Sequence, residues 1–189
     1  MRTQAIMVLA ASLGMAVGAY GQQGSELPFS AYVDQQGSIR LPKEIRSHWV
    51  HLGSWAVMDK NASGYGFHDV YTQPEAVAVY QESGQFPDGT VLVKEIREIV
   101  EGELTTGQAR WAAAPKVWFV MIKDKKGRFP NHPNWGEGWG WALFEAKDPA
   151  TNVSQNWQQD CRSCHVPAQE SDWVYIEGYP TLKPLHSQK

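Results

Sequence analysis

Cys161-Arg162-Ser163-Cys164-His165 brings two thiols and an imidazole into five consecutive residues, and these are the only two cysteines of the chain. Thiols three positions apart can add to the two vinyl groups of one haem, and the imidazole beside the second then lies under the iron as an axial ligand. Other readings of the same residues ask for more. A redox-active C-x-x-C pair belongs to a βαβ context, which this chain lacks. A zinc site needs a fourth ligand, and with cysteine exhausted it would have to be another histidine. A plain disulfide across three residues accounts for neither His165 nor its position. One covalent haem c per chain, bonded through Cys161 and Cys164 with iron on His165, is therefore the expectation.

The N-terminus fits an exported haem protein. Residues 1–21 carry a basic Arg2, an apolar run from Ala5 to Ala19 and a small-x-small pattern at Ala19-Tyr20-Gly21, the form of a cleaved signal peptide directing the chain to the periplasm. The run is short of the ~20 apolar residues that a membrane span requires, and nothing later in the chain is apolar for longer, so no span is expected after cleavage. Residues 22–40 are polar and rich in Gly, Gln and Ser and read as a flexible leader, which leaves 41–185 as one domain. At 42% hydrophobic and 20% charged the composition is that of a globular protein. A net charge of −3 without a Lys/Arg cluster gives no electrostatic reason to bind nucleic acid.

Along that domain, residues 48–59 read as a first strand and GFHDVYT (66–72) as a second. Pro74 then opens a helix that Gly84 ends. TVLVKEIREIV (90–100), PKVWFVMIKD (115–124) and WGWALFEAK (139–147) read as further strands, with the Gly-, Pro- and Asn-rich 125–138 as a structured loop. Hairpin-like spacing leaves little room for βαβ crossovers, so the fold class is mainly β (α+β): about five antiparallel strands with peripheral helices and the haem motif after the last long strand. The nine tryptophans are expected to fill the core.

The sixth position of iron separates electron carriage from chemistry, and a carrier closes it with Met or His. Only Met58 and Met121 survive removal of residues 1–21; both precede the motif, lie in predicted strands and read as core. An open distal face follows.

In order along the chain, LPKEIRSHWVHLGSW (41–55), VYTQPEA (70–76), GQFPDGTVLVKE (84–95), RFPNHPNW (128–135) and CRSCHVPAQESDWVYIEGYPTL (161–182) resemble the cytochrome P-460 family, which includes the cytochromes c prime beta. The resemblance implies a five-stranded antiparallel architecture with peripheral helices, five-coordinate haem c and a homodimer. It implies oxidation of hydroxylamine to nitrous or nitric oxide, with electrons passed to a soluble acceptor such as another cytochrome. The alternatives are a cytochrome c prime beta that binds nitric oxide without turnover, and a simple electron carrier.

The resemblance also makes Lys94 the lysine that joins a meso carbon of the haem. On its own, Lys94 alternates with Leu92 and Ile96 and so shares an apolar strand face, with Glu98 on the same face as a possible ion-pair partner. The carboxylate expected shortly before C-x-x-C-H is replaced by a segment whose only acid is Asp160. His68 and Asp69, in the run that matches a strand supplying a basic distal residue, are the substitutes for proton transfer. Phe67 and Trp55 are candidates for an apolar distal cap or ordinary core, and His132 either reaches the haem propionates or caps its loop. His48, His51 and His186 carry no signal.

Overall fold

The computed structural model describes residues 29–183; the expected signal peptide and His186 lie outside them. A short helix α1 (Ile45–His48) precedes strands β1 (Val50–Val57) and β2 (Gly66–Thr72). Helix α2 (Pro74–Ser83) begins on proline and ends where Gly84 takes φ 70°, as the missing N–H and the missing Cβ respectively favour. Strands β3 (Val91–Leu104), β4 (Gly107–Lys123), β5 (Trp135–Gly136), β6 (Trp139–Glu145) and β7 (Asp148–Asn152) follow. Two short helices, α3 (Trp157–Asp160) and α4 (Arg162–His165), then carry the C-x-x-C-H motif, and 3-10 turns run from residue 166 to 182.

All strands pair antiparallel in one sheet of order β1-β2-β3-β4-β6-β5, with β7 on β6. The sheet is mainly β as expected, with seven strands where about five are legible. β5 has two residues and lies in the turn-rich loop, while β7, Asp-Pro-Ala-Thr-Asn, has almost no strand propensity and forms because β6 offers it a free edge. β3 and β4 also run on together past Arg97, where pairing with β2 stops, and before Val117, where pairing with β6 starts. That two-stranded arm shows Val100, Leu104 and Trp111 to solvent.

Period-two alternation splits the sheet into two cores. Val70, Leu92, Met121, Trp139 and Trp141 face the C-terminal segment, packing on Trp157, Trp173, Val174, Tyr179 and Leu182. Tyr71, Val91, Val93, Ile122 and Phe144 face the other way and are covered by Val33, Ile39 and Ile45. The second cover corrects the expected leader: residues 29–40 are packed, with Phe29 and Tyr32 against the same core, a Val33–Ile39 bridge, and Arg40 donating to the Ala31 carbonyl at 2.8 Å. Polar spacing hides a few apolar residues that supply part of the lid of one sheet face.

Candidate functional site

Between the first face of the sheet and the C-terminal segment lies a cavity of about 320 Å³, the size of a small-molecule pocket. Cys161, Cys164 and His165 line it. Asp160 folds the approach to the motif, its Oδ2 accepting from the backbone N–H groups of Gln155 (2.8 Å) and Asn156 (3.1 Å) and from Ser154 Oγ (3.1 Å). These bonds hold the Asp160 carboxyl below its ordinary range, so it is an ionised turn-former rather than a proton acceptor. Cys161 is buried, Cys164 exposed, and the two are unpaired; burial pushes the Cys161 thiol up to about 11.

His165 Nδ1 lies 2.7 Å from the Trp173 carbonyl oxygen. A carbonyl only accepts, so Nδ1 carries the proton and Nε2 keeps its lone pair, the tautomer a metal ligand needs. Trp141 meets the ring edge-on at 4.8 Å, and burial keeps the imidazole neutral by lowering its pKa. Two adjacent unpaired thiols, an imidazole with a free Nε2 and a largely apolar cavity fit a haem c. The zinc reading has no support, since no group of three or more His, Cys, Asp and Glu side chains able to hold a metal occurs among the described residues.

Register orders the rest of the wall. Trp141 pairs with Met121 and Met121 with Leu92; Phe119 pairs with Lys94 and Lys94 with Val70; Ile96 pairs with His68. Same-face rows are about 7 Å apart along a strand. The Lys94 row therefore separates the Trp141 row, which touches His165, from the row of His68. Lys94 makes no hydrogen bond or ion pair among the described residues; its Nζ sits 4.3 Å over the Phe119 ring. Glu98 does not meet it. Burial lowers the Lys94 pKa, and its charge is felt at both His68 and His165.

His68 is buried, with Nε2 2.7 Å from the Gly64 carbonyl oxygen and its ring stacked 4.9 Å from Trp55. Nε2 thus carries the proton, and Nδ1 has no partner. Burial holds its pKa below the ordinary value, leaving a neutral ring whose unpartnered acceptor is enclosed by the protein. Trp55 is both core and cavity wall.

Asp69 is not brought to this site, a correction to its pairing with His68. Side chains alternate along β2, and Asp69 points to the opposite face, where Arg46 Nη1 reaches it at 3.2 Å and Ser54 Oγ at 2.5 Å. Phe67 shares that parity and does not line the cavity. His132 caps its own loop, accepting from the Asn134 N–H at 3.1 Å. Met58 is exposed past β1; Met121 is in the wall, but in the row on the His165 side, so neither stands across from that ligand. Tyr179, also in the wall, carries no sequence motif that would have singled it out.

The cytochrome P460 family model matches residues 42–176, spanning every strand and the C-x-x-C-H motif. A comparison with curated proteins finds no match.

Proposed function

Because the chain belongs to the cytochrome P460 family, and is thereby a haem protein, we propose that Cys161 and Cys164 bond one haem covalently, that His165 ligates its iron, and that the protein oxidises hydroxylamine to nitrous or nitric oxide. The observation that carries this reading is Lys94: a lysine without an ion pair among the described residues, in the cavity wall, in the row between His165 and His68. When bound, the haem supplies an iron with one open face where a small nitrogen species is held and oxidised. His165, oriented by the Trp173 carbonyl, would hold the iron through Nε2. Lys94, desolvated over Phe119, is suited to joining the haem rim. His68, a wall residue whose Nδ1 is unpartnered but enclosed, would be the group that takes a proton as hydroxylamine loses protons and electrons together once the wall admits the ligand to it, and Trp55 and Phe119 would keep water from the centre.

The electrons would leave to a soluble acceptor such as another cytochrome, in the periplasm. The exposed apolar residues of the β3–β4 arm support self-association as a homodimer. A second reading, nitric oxide capture without turnover, draws on the lack of a free acid at the cavity among the described residues: Asp160 is tied to its turn and Asp69 faces away.

The optical spectrum of the reduced holoprotein, followed by hydroxylamine consumption with an added acceptor, decides. An altered haem spectrum that reverts to that of ordinary haem c in Lys94→Met, together with steady consumption, is expected. An ordinary spectrum with nitric oxide binding and no consumption would replace the enzyme with the binding module.

A further inference from the structure

Tyr179 lies between the 3-10 turns Ile176–Gly178 and Pro180–Leu182, past the end of the family match at residue 176. Its backbone is pinned from three sides. A Cβ on Gly53 of β1 would stand 2.0 Å from the Gly178 carbonyl oxygen, so glycine is what allows this close approach. Thr181 Oγ1 donates to the His51 carbonyl at 3.0 Å, and Gln81 Nε2 of α2 donates to the Thr181 carbonyl at 2.8 Å. The Tyr179 ring then packs 6.2 Å from Trp55, which is itself stacked on His68. The three rings lie side by side, His68 stacked on Trp55 and Tyr179 tilted against it, at the end of the cavity away from Trp141 and His165.

The side chain is only 6% exposed, and a buried tyrosine hydroxyl ordinarily finds a partner. Even Tyr175, the exposed tyrosine of the wall, has one: it donates to the Cys164 carbonyl at 2.5 Å. The Tyr179 hydroxyl makes no hydrogen bond among the described residues. Tyr179 is part of the cavity wall. Burial raises its pKa, so the phenol stays protonated and is a donor.

We infer that the Tyr179 hydroxyl donates a hydrogen bond to the small ligand held in the cavity, and so selects for ligands with an acceptor atom, such as nitric oxide or the oxygen of hydroxylamine. The inference rests on the proposed haem with an open face. It adds to that reading a donor beside the proton acceptor His68: one wall of aromatic rings would both hold the ligand oxygen and receive its proton.

The test is Tyr179→Phe in the full-length holoprotein, with nitric oxide as probe. Because the hydroxyl bonds to nothing in the described protein, the thermal midpoint is expected to stay where it is. Loss of one hydrogen bond to the ligand should speed nitric oxide dissociation from the reduced protein by about tenfold and shift the N–O stretching frequency upward. A haem-bearing variant with an unmoved stretch and dissociation rate overturns the role of Tyr179 and leaves the proposed function standing. A destabilised variant with an unmoved stretch also overturns it, by showing a purely structural hydroxyl. A chain that carries no haem would overturn both readings.

Discussion

His68 and Asp69 are consecutive on β2, as Lys94 and Glu95 are on β3, yet the two faces of the sheet treat them in opposite ways. On the far face Asp69 and Glu95 are direct cross-strand partners, two like charges that would repel. Arg46 Nη1 bridges them at 3.2 and 2.7 Å, Arg97 Nη1 adds a contact to Glu95 at 2.9 Å, and Trp118 Nε1 donates to Glu95 at 3.1 Å. Every charge there has its opposite. On the cavity face the Lys94 ammonium has only an aromatic ring, and His68 Nδ1 and the Tyr179 hydroxyl have nothing among the described residues. Folded proteins pair buried polar groups almost without exception. Behind, the sheet pairs every charge and leaves Arg97 Nε as its orphan atom; in front, the Lys94 ammonium itself has no counter-charge among the described residues, and that difference in charge pairing is the contrast to test.

The largest effect that could break this contrast is on stability. Glu95→Ala strips the far face of a buried carboxylate and leaves Arg46, Arg97 and the Trp118 N–H without it. We expect a loss of about 3 kcal/mol by urea denaturation, toward the low end for a broken buried pair because the Arg46 side chain is half exposed. Lys94→Met, one residue earlier, removes an uncompensated charge instead and should leave stability unchanged or higher. Comparable losses in the two variants would mean that Lys94 is a structural lysine and that the faces do not differ as described.

A second effect is kinetic. His68→Phe keeps the stack with Trp55 but removes the Nδ1 acceptor, so kcat for hydroxylamine is expected to fall about a hundredfold, while stability falls only by the lost Nε2–Gly64 hydrogen bond, about 1 kcal/mol. A full-rate variant would move proton transfer to another group and reduce the unpaired set to Lys94 and Tyr179.

Local chemistry made much of the molecule legible. β2 and α2 form over the stretches their residues suggest, since strong β-formers between breakers and a Pro-to-Gly bounded segment are local signals. The haem motif is equally local, and so is the apolar company of Lys94. What stayed hidden depends on contacts distant in the chain. Residues 29–40 look like a leader until Val33 and Ile39 meet Tyr71 and Val91, and β7 needs the edge of β6. Tyr179 reaches the cavity through Gly53, more than a hundred residues away. Asp69 is a different kind of miss: strand alternation alone puts it opposite to His68, and adjacency in sequence was the wrong guide.

The smallest effect is a pH dependence that sharpens the contrast by isolating one group. Burial holds His68 below the ordinary histidine pKa; the Lys94 and Lys116 charges push the same way, while the Gly64 carbonyl and Asp69 pull against them. The unfolded chain then binds this proton at a higher pH than the folded protein does. Between the folded value and about 6.5 the unfolded state carries more protons, so stability rises with pH across that window and is lost as pH falls through it. Carboxylates on the far face respond to acid too, but they are common to the wild type and to His68→Phe and cancel in the difference. Urea midpoints of the two proteins should therefore run parallel above pH 7 and diverge on acidification below about 6.5, with the wild type losing more. Midpoints that stay parallel throughout would mean His68 titrates alike folded and unfolded, and that its place on the cavity face costs it no solvation.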